Sequence, residues 1–165
     1  MHPFLTGVLR AGIAVAVALG FFGQIVVIPS TAAAEVELFP AYAPFATPYV
    51  TVAILGVACV QVALVAVWRL LGMVRQGAIF TGLAFRWVDV VIGAAVVATV
   101  LAAGAAAHLA VAEIPSPGDS MDVESALAAA VVAAATGAAF AMLTLVMRGL
   151  LRRATELDAE MAGVV

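Results

Sequence analysis

The side chains able to do chemistry are few. They are His2 and His108, Cys59, and a set of polar groups inside apolar sequence: Gln24, Gln61, Asp89, Thr136 and Thr144. Paired histidines can clamp a haem within a helical bundle. His2 and His108, however, fall on opposite sides of the membrane organisation derived below and cannot share one haem. Cys59 is the only cysteine, which excludes an intramolecular disulfide, a CxxC pair and a cysteine-based metal cluster. Its neighbours Val57, Ala58 and Val60 suit an inert buried thiol. Neither a Gly-x-Ser-x-Gly elbow nor a His-Glu-x-x-His zinc motif occurs, and without lysine there is no lysine-bearing phosphate loop. No catalytic, cofactor-binding or metal-binding residue is assigned, no cofactor is implied, and the expectation is that the chain is not an enzyme.

The elements that must position these residues follow from composition. The chain has 165 residues, 66% of them hydrophobic and 10% charged, with a mean hydropathy of +1.22. Soluble domains carry about 25% charged residues. Such apolar surface needs a bilayer, where helices can be apolar on every side. Four stretches have the roughly 20 apolar residues of a spanning helix: about 7–28, 48–73, 88–112 and 125–147. The reading is an all-α integral membrane protein. It is a single domain over 1–165, a bundle of four transmembrane helices with a short C-terminal helical extension over about 148–163.

All seven basic residues are arginines, and all fall at one side of these spans: Arg10, Arg69, Arg75, Arg86, Arg148, Arg152 and Arg153. The positive-inside rule makes that side cytoplasmic and places both termini there. Glu35, Glu37, Glu113, Asp119, Asp122 and Glu124 lie on the other side. The absence of lysine and asparagine with abundant alanine and valine resembles the bias of a high-GC bacterial genome, so the expected location is a bacterial inner membrane. A basic residue, an apolar run and Ala32-Ala33-Ala34 also describe a signal peptide. The run is longer than a usual signal core and three spans follow, so an uncleaved anchor is the expectation, with cleavage left open.

Residues 29–47 contain Pro29, Pro40 and Pro44 with Phe39, Tyr42 and Phe45, and are expected to form a non-helical cap on the outer bilayer surface. The second outer loop, 113–124, is short, acidic and turn-rich. Trp68 and Trp87 sit beside Arg69 and Arg86 as an interfacial belt. Beyond the fourth span, Leu150, Ala154, Leu157, Met161 and Val164 recur at helical spacing among charged residues. That helix must extend the span, rest on the membrane or dock against a partner.

The inner-loop pattern from Leu70 to Thr81, followed by Phe85-Arg86, and the tail from Glu156 to Val165 resemble a bacterial, chiefly actinobacterial, family of four-span membrane proteins catalogued as a domain of unknown function. The resemblance covers nearly the whole chain and implies four spans without an assigned activity or catalytic residues. Family members are often encoded beside a small helix-turn-helix regulator, which implies a regulatory partner.

Asp89 is expected to form a structural ion pair with Arg69 across spans two and three, with Arg86 as the local competitor, because an intramembrane carboxylate needs a partner. Small-residue ladders, Gly12-Ala16-Gly20, Ala94-Ala98-Ala102-Ala106 and Ala133-Gly137-Ala141, supply close helix contacts. A ladder left facing lipid would make a homo-oligomer face. The arginines line an interface rather than a nucleic-acid patch, so no direct nucleic-acid binding is expected. The leading reading is a non-enzymatic partner-binding or regulatory protein in the lipid bilayer. Its cytoplasmic face, the inner loop plus the C-terminal helix, would dock a protein partner, with Leu157 and Met161 as the candidate docking residues. The alternative is a small transporter or transporter subunit, in which Gln24, Gln61 and Asp89 would matter more than the tail.

Overall fold

The computed structural model describes residues 3–75, 82–114 and 121–162. The chain forms helix α1 (Pro3–Phe22), a π-helical turn (Gly23–Val27), α2 (Ile28–Leu38), a 3₁₀ turn (Pro40–Tyr42), α3 (Ala43–Arg75), α4 (Gly82–Val111) and α5 (Met121–Ala162). Four helical segments, Phe4–Leu38, Pro40–Met73, Leu83–Val111 and Val123–Glu156, are long and apolar enough to cross a bilayer. The all-α fold with four membrane-length helices is as expected.

The cap expected over 29–47 is a correction. Pro29 sits in the first turn of α2, in a helix that runs on to Leu38. A proline within a helix lacks a donor and its ring clashes with the carbonyl four residues back. The π turn ahead of it accommodates this: the Ile28 N–H donates to the Gly23 carbonyl, one residue beyond α-helical spacing. The Ser30 hydroxyl donates to the Val27 carbonyl at 3.1 Å, and that of Thr31 to Val27 at 2.6 Å and Ile28 at 3.1 Å. These are back-bonds to carbonyls three and four residues earlier, which satisfy the hydroxyls within the helix itself. Pro44 lies in the first turn of α3, where no intrahelical donor is needed. Only a short turn around Phe39 separates α2 from α3, closed by Phe39 against Tyr42 with ring centroids 5.8 Å apart.

The helices pack in chain order. α1 and α2 lie on α3, α3 on α4, and α4 on α5; α3 and α5 make no close backbone approach to one another. The seam of α1 and the π turn after it is Thr6, Arg10, Ile13, Val17, Gly20 and Gln24, a spacing of alternating fours and threes that keeps one face toward α3. Of the Gly12-Ala16-Gly20 ladder only Gly20 belongs to this seam. Gly12 and Ala16 are exposed. A Cβ on Gly20 would stand 2.7 Å from the Gln61 amide nitrogen. The buried residues elsewhere are mostly small, Ala66, Ala84, Ala95, Ala106 and Ala141, with Gln61, Leu71 and Val91 among them. Alanine lets helix backbones approach until dispersion contacts hold them, the main attraction left where lipid is as apolar as the protein.

The tightest such approach joins α4 to α5, where a Cβ on Gly137 would collide with the Thr99 side chain. Gly137→Ala should therefore destabilise the protein by about 1–3 kcal/mol through overpacking. Gly104→Ala, whose Cβ would meet nothing within 4 Å, should be near neutral. Thermal unfolding midpoints in detergent check both.

Candidate functional site

The arginine-rich end gathers the charged and aromatic side chains into three interhelical clasps. Asp89 lies two turns into α4, surrounded by apolar sequence, where an unpaired carboxylate is costly. Its partner is Arg148 on α5, with Nε 2.6 Å from Oδ1 and an Nη 3.0 Å from Oδ2. An Nη–H donates to Oδ2, while Nε is a close ion-pair contact of Oδ1 without a hydrogen bond of its own, so the clasp is one charge-assisted hydrogen bond within an ion pair.

Arg69 is therefore not the partner expected from sequence. Its guanidinium instead lies over the Trp87 ring, 5.6 Å from the centroid. The reason is helical geometry. Trp87 and Asp89 are two positions apart on α4, so their side chains point about 200° from one another. With Trp87 turned to α3, Asp89 is turned to α5. Arg86, the expected competitor, is exposed and forms no ion pair with Asp89 among the described residues. A third clasp joins α1 to α3, where Arg10 stands 5.5 Å over the Trp68 ring. Its Nη2 would be 3.0 Å from a Cβ on Gly72, so Gly72 makes room for the cation. Each pair of neighbouring helices thus has one arginine contact at this end.

The remaining polar candidates do not converge. The Gln24 side-chain amide donates to the Ile54 carbonyl at 3.0 Å, and that of Gln61 to the Val17 carbonyl at 3.3 Å. Both bonds run across the α1–α3 seam. The Thr144 hydroxyl donates to Phe140 at 2.8 Å, and that of Thr99 to Ala95 at 2.8 Å, each along its own helix. Thr136 is exposed on α5 and Cys59 is a half-buried free thiol. His108 is at the acidic end, its Nδ1 2.7 Å from the Tyr49 hydroxyl. Its ring also lies 6.5 Å from that of Phe45.

α5 continues without a break past Arg148 to Ala162, so the expected tail helix is an extension of the fourth membrane helix. Exposed Arg152 and Glu156 pair one turn apart along it at 3.3 Å. The helix backbone passes through Leu157 and Met161, whose side chains lie outside the described residues.

Sequence reasoning missed Arg148 and both arginine–tryptophan contacts. The available signal was depth: Arg148 is the first arginine of α5 at the arginine-rich end, opposite Asp89 on α4. Which of several arginines at that depth meets the carboxylate depends on helix rotation, which hydropathy does not carry.

Residues 30–165, most of the chain, match the family described as "Protein of unknown function (DUF2975)". No curated protein and no solved structure matches the chain.

A double-mutant cycle tests the α4–α5 clasp. Asp89→Ala and Arg148→Ala should each lower the unfolding midpoint in detergent. Together they should cost less than the sum by about 0.5 kcal/mol or more. Asp89→Ala combined with Arg69→Ala should be additive.

Proposed function

The chain belongs to the DUF2975 family, and from its own residues we propose that it is a partner-binding membrane protein with no enzymatic activity. Its arginine-rich end would face the cytoplasm and dock a regulatory protein. The observation that carries this reading is the form of α5. One helix of 42 residues, about 63 Å at 1.5 Å per residue, is about twice the roughly 30 Å of bilayer hydrocarbon. Arg148 marks its inner depth, and the helix runs on for fourteen residues beyond it. Leu150 is 58% exposed and Leu151 39% exposed at the start of that extension. A helix continuous with a membrane span, clasped to α4 at its base, is a rigid projection that presents an apolar stripe.

The orientation rests on the positive-inside rule, since all seven arginines lie at or beyond this end and none at the other. Transport is the less supported reading. Gln24, Gln61 and Thr144 each donate to a backbone carbonyl, and Asp89 is paired, so these groups do not line a shared polar path.

Two outcomes follow. In a Cys59→Ala background, Ser120→Cys should react with an impermeant maleimide added outside cells, while Thr155→Cys should react only after permeabilisation. Labelling of Thr155→Cys from outside would reverse the orientation. Leu157→Glu with Met161→Glu should abolish specific crosslinks to a cytoplasmic protein in native membranes, with insertion unchanged. Gln61→Met, which removes the amide without burying a charge, should leave them intact. Crosslinks that survive both tail changes would exclude the tail as the docking element.

A further inference from the structure

At the acidic end, the spacing between α3 and α5 that the chain-order packing leaves open becomes a groove floored by α4. Its main body is a cavity of about 650 Å³. A second cavity of about 300 Å³ continues it toward the end of α2. The two share Tyr49, Leu109 and Ala126 in their walls, so they form one depression. Along α3 the main body extends from Tyr49 to Val60, and along α5 from Ala126 to Gly137. Each is twelve residues, about 17 Å between its end Cα atoms. The groove ends near mid-membrane, where Thr99 closes on Gly137.

That depth identifies the occupant. A spanning helix would need a groove through the full hydrocarbon thickness of about 30 Å and an interaxial separation of 8–10 Å. This groove is one leaflet deep, and its walls are largely alanine and glycine, which leaves a narrow apolar slot suited to a single hydrocarbon chain. The upper cavity, at headgroup depth, has polar groups that an acyl chain alone would not use. The Tyr42 hydroxyl is buried there with no hydrogen-bond partner among the described residues. Glu35, an exposed residue of α2, also borders this cavity. No arginine lies at this end, whereas Glu37 and Glu113 add to the negative field. An anionic headgroup would be repelled, and an ammonium group attracted.

We propose that the α3–α4–α5 groove binds one acyl chain of a zwitterionic, primary-ammonium lipid from the leaflet at the acidic end, with Glu35 accepting from the ammonium and Tyr42 donating to the headgroup or ester oxygens. The chain fills the space between α3 and α5, and the polar head satisfies the Tyr42 hydroxyl.

Full-length protein in phosphatidylcholine nanodiscs, doped with phosphatidylethanolamine or phosphatidylglycerol carrying a diazirine at the chain end, provides the test. After irradiation, adducts should concentrate at the deep end of the groove, around Val57, Val60 and Ala133. Phosphatidylethanolamine adducts should exceed phosphatidylglycerol adducts about threefold, the scale of one screened charge contact. Glu35→Gln should remove that preference while leaving chain occupancy. Gly56→Leu places a side chain where a Cβ meets nothing within 4 Å, so it should fill the slot without a clash and cut groove adducts about fivefold. If that variant does not insert, Ala102→Leu blocks the same slot from α4. Adducts spread evenly over α1 and α5 at the same depth, or unchanged by the plug, would overturn the chain site. Equal or greater labelling by phosphatidylglycerol would overturn the headgroup assignment. Protein–protein crosslinks replacing lipid adducts would show that a second copy fills the groove.

Discussion

Hydrocarbon offers a peptide group no hydrogen-bond partner, and the architecture depends on the chain satisfying its backbone internally. This is why Pro29 does not end the first membrane helix. The π turn at Gly23–Val27 shifts the hydrogen-bond register ahead of the proline, and the hydroxyls of Ser30 and Thr31 are satisfied by carbonyls of their own helix. The same constraint governs Gln24 and Gln61. Their amides reach the carbonyls of Ile54 and Val17 on the facing helix, so each buried amide donates rather than standing unpaired. These bonds register α1 against α3 at two depths.

With the backbone satisfied, association has no strong hydrophobic driving force, because lipid is as good a neighbour as leucine. Contact must come from fit. The alanine-rich faces of α3, α4 and α5, with Gly137 under Thr99, give that fit along one seam at a time. The arginine end adds directional contacts: Arg10 on Trp68, Arg69 on Trp87 and Arg148 on Asp89. Cation–π contacts at such sites contribute about 0.5–2 kcal/mol each. At the acidic end the Tyr49 hydroxyl of α3 meets the His108 ring of α4. The result is an asymmetric bundle, clasped at one end and grooved at the other.

α5 belongs to both ends. It forms one wall of the groove, holds Asp89 through Arg148, and continues as the helical tail. If the tail docks a partner as proposed, a change in α5 position produced at the groove would be carried to the partner along a continuous helix. A bent or broken helix would lose that connection. The Arg148–Asp89 clasp ties α5 to α4 fourteen residues before the helix ends at Ala162.

Hydropathy and arginine placement alone determined that the chain is all-α with four membrane-length helices, because length and apolarity are additive along a sequence and the bilayer sets the threshold. They also determined that Asp89 needs a cationic partner and that the tail is helical. The partner itself was decided only by tertiary structure. Three arginines lie at suitable depth, and the choice of Arg148 over Arg69 or Arg86 follows from the rotation of α4, which turns Trp87 to α3 and Asp89 to α5. The ladder on α1 shows the same limit. Gly12 and Gly20 carry the same residue type in the same spacing, yet only Gly20 meets α3, opposite Gln61. Proline, too, marks a weak point in a helix, but whether a π turn is available to absorb it depends on the residues ahead of it and on the absence of water. Composition tells how much surface must face lipid; which face meets which neighbour is settled by rotation, register and close packing.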